Sequence, residues 1–231
     1  MIRAERSRGG KELNLLKIFI CGDSTAASYN PEETLLVGWG QLLDRYLPAS
    51  CEVVNLAMAG RSTKTFLQEN RLEPMMRQAA AGDLALIQFA HNDENEKKPE
   101  RYVPLPAFEE NLTVFICRAR EVQAVPVLLT PICMRVWEQG ILQPTHGDYP
   151  RAAARVAKAQ GVPLIDLYTE SFRLVSALGE EGSKALFLHL APGQDARCPE
   201  GAQDNAHTRE AGADRFAAFA ARELIARGLV S

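Results

Sequence analysis

No stretch of the 231-residue chain approaches the roughly 18 uninterrupted apolar residues that a membrane-spanning helix needs. The sequence also lacks a basic block. Its net charge is −3, and a weakly acidic chain is a poor partner for nucleic acid. Cysteine is scarce and odd in number (Cys21, Cys51, Cys117, Cys133 and Cys198), and no pair has the close spacing of a zinc or redox motif. Reduced thiols are expected. Cys21, Cys51 and Cys117 lie in apolar segments, where a free thiol acts as a small hydrophobe. There is no Gly-x-Ser-x-Gly elbow, which disfavours the α/β-hydrolase arrangement. Walker A and the complete Gly-x-Gly-x-x-Gly fingerprint are missing as well. Without a His-Glu-x-x-His or a cysteine cluster, neither a metal nor any other cofactor is expected.

What remains is an ordinary globular composition, 46% apolar and 24% charged. At this length a single domain over residues 1–231 is expected, with 1–14 as a flexible extension. The N-terminus is basic and then apolar, like a signal peptide. Lys17 interrupts the apolar stretch, however, and no small-residue cleavage site follows. That stretch reads better as a first strand, and the expected location is cytoplasmic.

Five continuous apolar runs, at 16–21, 51–56, 83–89, 125–130 and 162–167, read as strands buried on both faces. Pro126 and Pro163 stand near the starts of their runs, where a missing donor is tolerated. Helical segments are expected at 38–46, 72–81, 106–124, 151–160 and 209–227, with Gly161 and Gly228 as stops. The segment 179–205, with several Gly and Pro residues, reads as a long loop. Strands alternating with helices predict an α/β fold with a five-stranded parallel sheet. Ligands then sit beyond the carboxyl ends of the strands.

The residues at those ends carry chemistry. Ser24 follows the first run within Gly22-Asp23-Ser24-Thr25. A serine is a weak nucleophile without a base and an orienter, and Asp23 and Ser24 serve equally as turn formers or caps. Asp204 and His207, three residues apart before the last helix, would supply that base and orienter. They read otherwise as a helix cap and an incidental histidine. Gly60 after the second run permits close backbone approach, and Asn92 after the third offers a neutral amide. Both are suited to an oxyanion, and both also suit ordinary turns.

Taken in order, Gly22-Asp23-Ser24, Gly60, Asn92-Asp93 and Asp204-Asn205-Ala206-His207 resemble the SGNH (GDSL-type) hydrolase superfamily. The resemblance implies a flavodoxin-like three-layer α/β/α sandwich and an ester-hydrolysing serine. By motif, Ser24 is then the nucleophile, His207 the base and Asp204 the orienter. The amides of Ser24 and Gly60 and the side chain of Asn92 form the oxyanion hole. A narrower similarity is to the rhamnogalacturonan acetylesterases. It rests on Gly22–Thr25, Gly38-Trp39-Gly40, Gly60-Arg61-Ser62 through Thr65-Phe66, His91-Asn92-Asp93 and Gly147-Asp148-Tyr149-Pro150. The motifs Leu190-Ala191-Pro192-Gly193 and Pro199-Glu200-Gly201 add to it. One departure is Ala90, where that group usually has glycine.

The resemblance implies a cofactor-free esterase that deacetylates pectic oligosaccharides through an acetyl-enzyme. Arg61 and Arg135 are candidates to meet a galacturonate carboxylate, and Trp39 and Trp137 to stack on sugar faces. Other acyl esters, as for a xylan-type acetylesterase, a lipase or a thioesterase, are the alternative. A third reading, a flavodoxin-like module holding phosphate or flavin at 22–28, leaves Asp204 and His207 unexplained. His91 reads as structural, and His146 and His189 have no partner visible in the sequence.

Overall fold

A computed structural model describes residues 15–231, so the expected extension at 1–14 lies outside the described residues. Five parallel strands form the main sheet: β1 (Leu16–Gly22), β2 (Cys51–Asn55), β3 (Leu84–Gln88), β4 (Val125–Leu129) and β7 (Leu164–Ile165). Their order is β2-β1-β3-β4-β7, the doubly wound arrangement. Two short hairpins complete the strands: β5 (Trp137–Glu138) with β6 (Ile141–Leu142), and β8 (Phe187–Leu190) with β9 (Ala202–Thr208). The α-helices are α1 (Thr63–Gln68), α2 (Glu73–Gln78), α3 (Leu105–Glu121), α4 (Tyr149–Gln160), α5 (Leu167–Ser183) and α6 (Glu210–Ala226).

Successive strand residues point to opposite faces, so each apolar run feeds two cores. Ile18, Ile20, Leu84, Leu86, Val127 and Leu129 pack on the face covered by α6 and the 3₁₀ helix Trp39–Tyr46. Phe19, Cys21, Ala85, Ile87 and Leu128 pack on the other face with α3 and α4. The strand order reverses between β1 and β3. Ser24 and Asn92 follow those two strands, at the crevice where such sheets bind ligands.

Several expectations needed correction. The fifth strand is only Leu164–Ile165, because Asp166 turns the chain into α5 by accepting the Thr169 N–H as an N-cap. The helix α5 was not expected. Its buried Leu167, Ser171 and Val175 recur at four-residue spacing, a stripe masked by intervening charge. Helix α1 was missed too, although Ser62 and Thr65 form a reciprocal capping box legible in the sequence. The expected long loop 179–205 instead holds the end of α5, a short 3₁₀ turn, β8 and the start of β9. Only 191–201 within it is irregular. Cys117 is exposed on α3, whereas Cys21 is buried, and all five cysteines are free.

Candidate active site

The turn that carries Ser24 is held by several hydrogen bonds. Asp23 Oδ1 accepts the Thr25 N–H at 2.9 Å and the Thr25 hydroxyl at 2.8 Å. The Tyr29 hydroxyl donates to the Ser24 carbonyl at 2.8 Å, and the Trp39 N–H donates to the Thr25 carbonyl at 2.9 Å. A Cβ on Gly38 would collide with the backbone of Ala26 and Ala27, so only glycine lets this segment close over the turn. Trp39 is fully buried, and its indole N–H donates to Gln88 Oε1 at 3.1 Å. It is therefore a packing residue and not the sugar platform expected of it.

Asp204 and His207 come together on a bulge, not on a helical turn. Gln203 lies opposite His189 and Thr208 opposite Phe187, so four residues of β9 face Leu188 alone. This excursion folds the Asp204 carboxylate back under His207. Asp204 Oδ1 accepts the N–H groups of Ala206 and His207 at 2.8 and 2.9 Å. Its Oδ2 lies 2.7 Å from His207 Nδ1, and His207 Nε2 lies 2.8 Å from Ser24 Oγ. Facing a carboxylate, Nδ1 carries the proton, which leaves Nε2 to accept the Ser24 O–H. Burial works against charge on Asp204, but the bonds from His207 and Ala206 prevail and hold its pKa down to about 2.

The bulge is tied down at both ends. The Thr208 hydroxyl donates to the Val37 carbonyl at 2.7 Å. At the other end the Arg135 N–H donates to the Asn205 carbonyl at 2.7 Å. Asn205 Oδ1 also accepts from Arg135 Nη1 at 3.0 Å and from His189 Nε2 at 2.9 Å. Arg135 is buried, and its remaining nitrogens hold Ser183 Oγ and the Glu180 carbonyl. It braces the bulge instead of waiting for a carboxylate. Arg61 is likewise engaged, donating from Nε to Glu69 and from Nη1 to the Ala59 carbonyl. Trp137 is half-buried on the β5–β6 hairpin and packs with Cys133, Leu142 and Val175.

Each of the three donors expected of an oxyanion hole keeps an unpaired hydrogen among the described residues. Gly60 adopts φ +79°, a left-handed turn after β2. Neither its N–H nor that of Ser24 has a protein acceptor among the described residues. Asn92 donates one amide hydrogen to the Arg61 carbonyl at 2.9 Å, which orients the group and leaves the second hydrogen free.

Beneath these donors lies a buried polar layer. His91 Nδ1 is 3.5 Å from Asp23 Oδ2, and its ring meets His146 edge-on at 4.5 Å. His146 reaches Glu94 Oε2 and the Ile132 carbonyl, both at 2.8 Å. Burial opposes charge on His91, but the carboxylates of Asp23, Glu94 and Asp93 prevail and raise its pKa. Burial also pushes Asp93 up to about 7, even though Thr63 donates its N–H and hydroxyl to Asp93 Oδ1. The structural reading of His91 fits this layer, and the contacts of His146 and His189 were invisible in the sequence because they span distant segments.

Ala90 is strained at φ +153°, a region that favours glycine, and it is fully buried. Relief of roughly 1–3 kcal/mol of strain competes with about 0.8 kcal/mol of lost methyl burial and roughly 0.4–1 kcal/mol of chain entropy. Ala90→Gly is therefore expected to fall between a loss of about 0.8 and a gain of about 1.8 kcal/mol. Ala119→Gly, equally buried but inside α3, should lose about 1–2 kcal/mol. Thermal melting of the two variants checks the contrast. If Ala90→Gly loses as much as Ala119→Gly, Ala90 is not strained.

Comparison with known proteins gives the family. The family model for GDSL-like lipases and acylhydrolases matches residues 20–215. A Bacillus subtilis rhamnogalacturonan acetylesterase, RhgT, is 37% identical over 93% of this chain and 91% of its own. A probable rhamnogalacturonan acetylesterase from the same organism, YesY, is 34% identical over 92% of this chain and 94% of its own. The crystal structure of B. subtilis YxiM superposes with a TM-score of 0.78 at 27% identity, over 93% of this chain and 57% of that longer one. With the SGNH hydrolase fold, the ordered strand-end motifs and these matches in hand, the chain belongs to the GDSL-like lipase/acylhydrolase family and is a carboxylic ester hydrolase.

Proposed function

We propose that the protein is a serine esterase that removes O-acetyl groups from rhamnogalacturonan-type pectic oligosaccharides. The observation that carries this reading is the unbroken chain from Ser24 Oγ through His207 to Asp204, at 2.8 and 2.7 Å. The substrate class is supported by what RhgT and YesY are named for.

In this mechanism His207 Nε2 takes the proton of Ser24 as Oγ bonds to the acetyl carbonyl carbon. The carbonyl electrons move to oxygen, where the N–H groups of Ser24 and Gly60 and the free Asn92 amide hydrogen meet the charge. The imidazolium, steadied by Asp204, returns the proton to the departing sugar oxygen, and acetyl-Ser24 remains. Water then loses a proton to His207 and adds to the acetyl carbon. Collapse expels Ser24 Oγ, which recovers the proton, and acetate leaves. The five free cysteines support action in a reducing compartment on imported oligosaccharides, which cell fractionation checks.

Acetate release from acetylated rhamnogalacturonan, xylan and chitin oligosaccharides tests the substrate. The pectic substrate should give the highest kcat/KM, and preference for xylan or chitin would sink the assignment. Asn92→Ala tests the oxyanion hole. It should lower kcat by roughly 10² to 10³. KM should hardly move, because the ground-state ester lacks the charge. Asn92→Asp should be worse, since a carboxylate repels the oxyanion. Full kcat in Asn92→Ala would leave the stabilisation to the two backbone amides.

A further inference from the structure

A cleft of ≈ 580 Å³ opens beside the β8–β9 hairpin, and its lining includes Arg135, Glu180, Lys184, His189, Asn205 and Arg209. It shares a wall with the triad, because Asn205 lies within the bulge between Asp204 and His207. That wall is fixed by the bonds from Arg135 and His189 to Asn205 Oδ1.

The cleft lining carries the cations Arg135, Lys184 and Arg209 against one carboxylate, Glu180, in a chain whose net charge is −3. Lys184 pairs with Glu181 at 2.8 Å, and Arg135 is spent on Ser183, Glu180 and Asn205. The Arg209 guanidinium has neither a hydrogen bond nor an ion pair to protein among the described residues. His189 reports the local field. Burial lowers its pKa first, and the charges of Arg135 and Lys184 lower it further, against the Asn205 bond and the Asp204 carboxylate that raise it. A site of this size and polarity suits one acidic sugar unit with its neighbours.

We propose that this cleft is a carboxylate subsite for a uronic acid unit of the substrate. Arg209 meets the carboxylate there, and Arg135 and Lys184 supply the surrounding positive charge. The inference rests on the pectic reading, which supplies an acidic sugar. It moves acid recognition away from Arg61 and Arg135, whose donors are already engaged.

Unacetylated trigalacturonate and neutral xylotriose are the probes, and the His189 ring is followed by NMR. Trigalacturonate should bind and shift the His189 titration upward, because a bound anion offsets the field of Arg135 and Lys184. Xylotriose should leave it in place. Arg209→Ala should weaken trigalacturonate binding roughly tenfold or more, and Arg209→Lys should keep part of it. Equal binding of both sugars, an unmoved His189, or undiminished binding by Arg209→Ala each overturns the subsite. Suppose acetylated rhamnogalacturonan is not deacetylated but trigalacturonate still moves His189. The proposed function then fails and the subsite stands. If acetate is released and His189 does not move, the subsite alone fails.

Discussion

Replacing Ser24 with alanine is expected to lower kcat by a factor on the order of 10⁴ or more with the fold unchanged. The size follows from the chemistry, since without Oγ no acyl-enzyme forms and only binding and the oxyanion donors remain to assist water. The unchanged fold follows from the contacts. Among the described residues Ser24 Oγ bonds to His207 alone, whereas the turn is held by Asp23, by Thr25 and by Tyr29 on the Ser24 carbonyl. Hydrolysis of p-nitrophenyl acetate and thermal melting read the two halves. A fluorophosphonate should label the wild type at Ser24. Ser62 is fully buried as the cap of α1, and Ser28 accepts from the Asn55 amide. Labelling at either of them would overturn the assignment.

The second large effect separates base from orienter. His207→Ala removes the proton acceptor and should approach the loss seen for Ser24→Ala or exceed it, roughly 10⁵ to 10⁶ in kcat. Asp204→Asn should cost less, about 10⁴. Asparagine keeps an oxygen for the Ala206 and His207 amides, but it turns an N–H toward Nδ1 and so favours the wrong imidazole tautomer. The pH dependence of stability reports on Asp204. Asp204 has a folded pKa of about 2, below its unfolded value. Its contribution to stability is therefore present above about pH 4 and lost as pH falls through the folded value. Unfolding through Asp204 is therefore expected only in acid below about pH 4, and thermal melting against pH checks it. A neutral Asp204→Asn would mean that another group orients His207. Asp195 is not free to do so, because Arg197 holds it at 2.7 and 2.8 Å.

The sequence by itself determined the sheet and the order of its strand-end motifs. Runs such as 84–87 are apolar throughout because both faces are covered, and that needs no knowledge of neighbours. Ser24, Asn92, Asp204 and His207 were legible as residue types at the right places. Tertiary structure alone decided which of their neighbours are structural. Trp39, Arg61 and Arg135 look available in a linear chain, but partners from segments far along the chain, such as Gln88 and Asn205, engage two of them. The long loop expected at 179–205 failed for a related reason, since β8 and β9 are strands only through pairing with each other. The four-residue bulge that brings Asp204 under His207 is held from outside by Arg135, which bonds Asn205, and by the Val37 carbonyl, which accepts from Thr208. Local pattern records what a residue prefers, and long-range packing and hydrogen bonding set what it faces. The residue types of the candidate site were therefore legible in the sequence, while their support and the cationic cleft appeared only on folding.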